Sequence, residues 1–382
     1  MLRWARKTAG YDVAAAAQEL KQSEERLLQW EQGKAYPSIA QLRRMSDLYK
    51  RPTAVFYLPE PPQDFSVQRL PDFRRFPDGE RHPLSPHLIY LIREAHERQE
   101  WAAQIRQEMG MKPLSFVGSV TGDEPPDVLA QRIREILDVR MEDQVSWRST
   151  VRARRQWVES CEAKGVIVFQ LHGVDPQETR GLALMNPLAP TICLNSRDVD
   201  SARVFTLIHE FTHILLGIEG ISDLRVAAEP RTRDEKREVY CNAVAAETLV
   251  PSKHLQRTLR AMAAFPLEDK QVGRLAGQYS VSREVIARRL LTLKYISRTT
   301  YEEMRARFLR EYEKAPPKGE SEGGPSYART IVSRRGRAFT RLVFDAYADS
   351  LITLRDVSSL LGVKVNHLES LKPELTPLTS FA

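Results

Sequence analysis

Between Arg203 and Gly217 the chain places two histidines four positions apart, with a glutamate directly after the first: His209-Glu210-Phe211-Thr212-His213. The run around them is apolar and has helical spacing, so residues i and i+4 stand one turn apart on the same face. Both imidazoles can then reach one Zn²⁺ at about 2.0 to 2.1 Å. Glu210 falls beside such a metal, placed to take a proton from its water, whose pKa zinc lowers to about 7, and to hand it on to a leaving amine. Chance is the competing explanation, since composition alone gives the motif in roughly one chain in a hundred of this length. Burial argues against it: two histidines and a glutamate in an apolar helix are costly without a partner, and a metal supplies one.

A catalytic zinc of this type takes a third protein ligand and keeps its fourth position open for water and substrate. The downstream stretch from Glu238 to Pro251 reads as a second apolar helix with an acid near each end, Glu238 and Glu247. Glu238, which opens the helix, is the preferred ligand. Glu247 lies more than two turns further on, and spacing by itself leaves it open.

The rest of the chain must hold these two helices. At 382 residues, 42% hydrophobic and 28% charged, it has the proportions of a globular protein with two or three domains. No run of about 18 uncharged apolar residues occurs, and Met1-Leu2-Arg3-Trp4-Ala5-Arg6-Lys7 meets charge at once, so neither a membrane span nor a signal peptide is expected and the location reads as cytoplasmic. Cys161, Cys193 and Cys241 are isolated, which predicts buried free thiols. Three short β-rich stretches, 166–169, 182–185 and 191–194, are close enough to form a small sheet. Long amphipathic helices are expected over Leu88, Leu91, Ile92, Ala95, Ala102, Ile105 and Met109, and over Val128, Leu129, Ile133, Ile136 and Leu137. The fold class is therefore mainly α with a small β-sheet, an α+β arrangement.

Residues 2 to 58 read as a run of short helices, with Ser23 and Ser38 as N-caps and Gly33 ending the third. The second and third, joined by Lys21-Gln22-Ser23, suit a helix-turn-helix. The second helix of such a pair enters the major groove of DNA, which nominates Ser23, Glu24, Arg26, Gln29 and Gln32, while Leu27 and Trp30 read as core. The net charge of +7 suits a polyanionic partner. Glu24 and Glu25 act against it, by placing carboxylates where phosphates approach. Near the other end, Arg329, Arg334, Arg335, Arg337 and Arg341 accumulate with no acid between them, and residues 353–368 repeat the helix-turn-helix rhythm. This reads either as a second DNA contact or as a solvated basic helix followed by a packing pair.

These residues resemble the ImmA/IrrE family of bacterial metallo-endopeptidases, in the subgroup fused to an N-terminal Xre-type helix-turn-helix domain. Arg203 to Gly217 follows that family's R-x-F-T-x-x-H-E-x-x-H block, and Glu238 to Pro251 its E-x-x-C-N-x-x-A-A-E-x-L-V-P block. Residues 23–33 and 49–59 are similar to the Xre-type domain of the subgroup. The resemblance implies zinc ligands at His209, His213 and Glu238 and a catalytic Glu210. It also implies that 272–290, despite a helix-turn-helix rhythm, packs beside the peptidase helices. The organisation expected is an Xre-type domain at 1–62, a proline-rich linker at 63–86, the zinc peptidase domain at 87–313, a flexible linker at 314–326 and a helical unit at 327–382. The function implied is a regulator that binds operator DNA and cleaves a specific protein such as a repressor. The alternative is an antitoxin that binds and neutralises a small PIN-like toxin and represses its own operon. Partners are then DNA and a protein substrate or cognate toxin, with room for a homodimer.

Overall fold

The computed structural model describes residues 1–62, 67, 70–72, 83–221, 232–262, 267–314 and 326–375. Its architecture is mainly helical with one small mixed sheet, as the sequence predicts. The chain forms two compact units, one of residues 1–71 and 75–98, the other of residues 72–74 and 99–382.

In the first unit the helices are α1 (Leu2–Thr8), α2 (Val13–Leu20), α3 (Glu24–Glu31) and α4 (Ile39–Tyr49), followed by a 3-10 turn (Thr53–Tyr57) and by α5 (Pro86–Glu108), whose first half belongs here. Each start has a local cause. Asp12, Ser23 and Ser38 accept from the backbone N–H three residues on, and Gln41 returns the bond to Ser38 to close a capping box. Ala5, Ala16, Leu20, Leu27, Trp30, Met45 and Tyr49 form one core, so Leu27 and Trp30 are structural as read. Arg6 grips Glu31 with two hydrogen bonds of 2.6 and 3.0 Å, tying α1 to α3.

The second unit continues with α6 (Pro126–Leu137), α7 (Met141–Trp147), α8 (Thr150–Ala163), β1 (Ile167–Leu171), β2 (Gly181–Leu184), β3 (Thr191–Asn195), α9 (Asp200–Leu216) and β4 (Gly220–Ile221). Beyond these come α10 (Arg233–Leu249), α11 (Ser252–Met262), α12 (Asp269–Tyr279), α13 (Arg283–Thr292), α14 (Arg298–Lys314), α15 (Tyr327–Arg335), α16 (Arg337–Ala348), α17 (Leu354–Leu361) and a 3-10 helix (Val365–Leu375). Val128, expected on the apolar face of α6, is 49% exposed, whereas Leu129, Ile133 and Leu137 are buried. Position 128 stands in the first turn, off the stripe those three define at spacings of four.

The sheet runs β1-β3-β2-β4, with β1 parallel to β3 and the other pairs antiparallel. Two-residue β4 is an element the sequence reading lacks. Nearly every strand residue is buried, because helices cover both faces. Val168, Ala183, Ile192 and Leu194 join the main core with α9, while Phe169 meets Phe339 of α16 edge-on at 5.4 Å. Val272, Leu275, Tyr279, Ile286 and Leu290 enter the same core, so α12 and α13 pack as helices of this unit.

The C-terminal helices are continuous with this unit. The Arg337 guanidinium pairs with Glu159 at 2.8 Å, the Ala338 N–H donates to Glu162 at 3.0 Å, and Gly336 lies too close to the Val168 carbonyl to admit a side chain. Arg335 and Arg341 donate to the carbonyls of Leu361 and Leu375. Three members of the basic run thus hold the protein together. The proline-rich stretch between 59 and 86 lies only partly within the described residues, and 315–325 of the polar linker lies outside them.

Burial pushes the Glu162 carboxyl up to about 7, against the Ala338 N–H and Arg337, which favour its charged form. The folded protein therefore holds this proton more tightly than the unfolded chain does. The resulting stability is fully present below about pH 4.5 and is lost as pH rises through about 7. Glu162→Gln, which keeps an acceptor for Ala338, is expected to raise Tm by several degrees at pH 8 and to change it little at pH 5. Equal shifts at both pH values in a thermal melt would contradict this.

Candidate metal centre

Helix α9 is buried along almost its whole length, with Val204, Leu207, Ile208, Phe211, Ile214 and Leu215 turned into the core. Each such side chain contributes roughly 1.5 to 3 kcal/mol of transfer free energy, enough together to carry a few costly polar groups in the same helix. The helix ends at Gly217, which takes the left-handed conformation (φ 67°) that glycine adopts without strain. Its last carbonyls are satisfied from two sides. Ile218 donates to His213, while Gly118 and Val120 donate to Ile214 and Leu215. A Cβ at Gly217 would stand 3.2 Å from the Gly118 Cα, so the two glycines let the chains touch.

Helix α10 begins with a second capping box, Thr232 with Glu235, and lays Glu238, Cys241, Asn242 and Ala245 inside the unit. Packing α10 against α9 brings three side chains together. The Nε2 atoms of His209 and His213 are 3.1 Å apart. Glu238 Oε2 lies 3.3 Å from the first, and Glu238 Oε1 lies 3.0 Å from the second. All three residues are buried. A tetrahedral cation with bonds of about 2.0 to 2.1 Å needs ligand atoms about 3.3 Å apart, close to the observed triangle. Two imidazole nitrogens and a carboxylate, inward and dehydrated, are a donor set that fits a divalent metal.

The electrostatics agree with a cation site. Burial alone would raise the Glu238 carboxyl, but His209 and His213 outweigh it and hold it at about 2. Burial opposes charge on His213 as well, yet Cys241 and Glu238 lift its pKa well above the usual histidine value. His209 Nδ1 is buried and has no hydrogen-bond partner among the described residues, nor does either amide atom of Asn242, one turn along α10 from Glu238.

Glu247 has another role. Its carboxylate accepts from the Ser252 N–H at 2.7 Å and the Ser252 hydroxyl at 2.8 Å, and it pairs with the buried Arg289 guanidinium. It thereby caps α11 and ties it to α13. Of the two acids left open by spacing, Glu238 is the one beside the histidines. Tyr240 donates to the Glu124 carbonyl, and His254 pairs with the Tyr279 hydroxyl. The three cysteines are buried free thiols, as expected.

Glu210 is fully buried, and its neighbour across the helix–sheet contact is Gly181, the first residue of β2. A Cβ there would stand 2.5 Å from Thr206 Cγ2, 2.9 Å from the Cys193 carbonyl oxygen and 3.3 Å from Glu210 Oε1. Gly181 lies just outside the apolar run at 182–185 from which this strand is expected. Its only signal is a lone glycine heading an apolar run. Of the five residues nominated for DNA, Glu24, Arg26 and Gln29 lie in α3, and Ser23 and Gln32 are its N-cap and C-cap. Ser23 caps the helix, Arg26 donates to Gln29 at 3.2 Å, and Gln29 donates to Glu25 at 3.3 Å. Ser23, Glu24, Arg26 and Gln32 are exposed and Gln29 is half-buried.

Glu238→Gln is expected to lower divalent-metal affinity by at least about a hundredfold, since even partners of ligands cost ten- to a hundredfold. Glu247→Gln should leave metal binding intact and destabilise the fold by about 3 to 5 kcal/mol through an unpaired Arg289. Chelator competition with thermal melts separates the two, and equal metal loss in both variants would refute the assignment. Gly181→Ala should cost about 1 to 3 kcal/mol by overpacking while the purified protein still takes up metal. An unchanged melt would show that α9 yields without cost.

Comparison with known proteins places this geometry. Residues 161–291 match the model of peptidase family M78, described as the IrrE N-terminal-like domain. No curated protein matches the chain. The matched segment is about a third of the chain and holds the sheet, α9 and α10, so the part similar to a metallopeptidase family is the part that contains His209, Glu210, His213 and Glu238.

Proposed function

We propose that the chain is a DNA-binding transcriptional regulator with a zinc-dependent endopeptidase centre that cleaves a specific protein, such as a repressor. The buried triangle of His209, His213 and Glu238, with the buried Glu210 directly after His209 on α9, carries this reading. Two histidines and a glutamate are the protein set of one class of catalytic zinc sites. When bound, zinc supplies Lewis acidity and lowers the pKa of a coordinated water to about 7. The chain's own residues supply the rest. Glu238 and the two imidazoles neutralise and orient, Glu210 takes the proton of the attacking water on its carboxylate, and the same carboxylate delivers it to the nitrogen of the departing amine. The apolar side chains of α9 keep bulk water from the buried carboxylates, which strengthens each charge interaction.

The DNA part of the proposal is supported by the pair α2 and α3. They meet through a short turn in which Lys21 takes the left-handed conformation, and Arg26 of α3 and Gln32 at its C-cap are exposed. Arg and Gln are the residue types that bond guanine and adenine edges in the major groove. No helix among the described residues is long and apolar enough to cross a membrane.

The test uses Glu210→Gln, which keeps the metal set and removes the proton acceptor. Wild-type and variant chains are used side by side as bait in host extract, and the retained proteins are identified by mass spectrometry. A partner held intact by Glu210→Gln and fragmented by wild type is expected. A partner held equally by both and never cut would replace proteolysis with neutralisation by binding, the antitoxin function.

A further inference from the structure

The start of α9 gathers charge that the metal centre does not use. Six arginines are buried among the described residues. Arg6, Arg93, Arg106, Arg134 and Arg289 are each anchored by hydrogen bonds to carboxylates or main-chain carbonyls. Arg203 differs. The ion partner on its own helix, Asp200, lies 3.6 Å from Nη1, while Nε and Nη2 are buried with no hydrogen-bond partner among the described residues. Those two nitrogens form one edge of the guanidinium, the fork that takes two oxygens of an oxyanion side-on. Leaving that edge buried and unmatched is costly, which points to a ligand.

The surroundings are rich in positive charge from separate elements. Arg154 of α8 holds the same Asp200 oxygen at 2.7 Å, so that carboxylate is already shared. Arg180, just before β2, stands 3.5 Å from Asp198 with its side chain 47% exposed. Arg334 of α15 is exposed, and its charge acts, with that of Arg203, on His172, just after β1. Arg154, Arg180 and Arg203 thus meet two carboxylates, and Arg334 adds a fourth positive charge near His172. Burial drives His172 down to about 4, and Arg334 and Arg203 push the same way, as a net positive potential would.

We propose that this cluster binds a phosphate dianion, free or carried by a small molecule, with Arg203 as its bidentate floor and Arg180 and Arg334 as its rim. The surplus of two positive charges matches a dianion better than a single carboxylate. Arg203 precedes His209 by six residues, about 9 Å along the helix. The two sites therefore share α9 without sharing a ligand.

The full chain is titrated with inorganic phosphate at constant ionic strength, with chloride as the reference, by calorimetry and thermal melts. A saturable heat and a rise in Tm are expected. The double variant Arg180→Ala/Arg334→Ala, which removes only exposed side chains, should weaken binding at least tenfold, and Arg203→Met should abolish it. A nucleoside monophosphate that binds more tightly than phosphate identifies a phosphate monoester as the ligand, and equal or weaker binding identifies free phosphate. Phosphate that acts no differently from chloride, or binding unaltered in the double variant, overturns the proposal.

Discussion

Everything in the second unit depends on one contact, the packing of α10 across α9 that brings a carboxylate to two imidazoles in a dry interior. None of the three groups gains by burial alone, since each loses water and each pair within the triangle is polar. Apolar side chains on the same helices supply the opposing free energy. The helix that carries the costly groups is also the most thoroughly buried, with Phe211 and Ile214 interleaved between the histidines and the C-terminal turn. A site assembled this way cannot be loosened locally, because the residues that hold it are the core itself.

Several devices fix where α9 ends and how close it stands to the sheet. Gly217 and Gly118 let the preceding loop cap its carbonyls, and Gly181 lets β2 approach α9 until a side chain there would collide with Thr206. Further out, Gln99 and Arg106 donate to carbonyls of 165, 184, 188 and 189, pinning the approach to β1 and the loop between β2 and β3. Position and chemistry are thus set by different residues. The ligands are polar and few, whereas the positioning groups are mostly glycines, caps and buried amides.

That division explains what could be read in advance. The histidine spacing and the caps at Ser23 and Ser38 are local, and local rules of helix geometry recover them. The approximate spans of β1 to β3 follow from apolar runs. Their order does not, because parallel pairing of β1 with β3 is a long-range choice that alternation leaves open, and two residues of β4 are too few to show a period. Sequence prefers Glu238 to Glu247 but leaves both open by spacing, and what each meets across the packed helices decides between them. Gly181 and Arg203 matter through the neighbours they touch or lack, and no spacing rule encodes that.

Strand β1 forms one edge of the sheet, and its outer side is closed by Gly336, Phe339 and the rest of the pair α15 and α16. Those residues follow β1 by more than a hundred and sixty positions, so synthesis at roughly 5 to 20 residues per second leaves the edge open for on the order of ten seconds. During that time β1 is a bare row of backbone donors and acceptors next to an apolar face, the kind of surface other chains add to. The nascent protein therefore crosses an interval in which its sheet is made but unguarded, and the helices that end that interval stand last in the order of translation among those packed on β1.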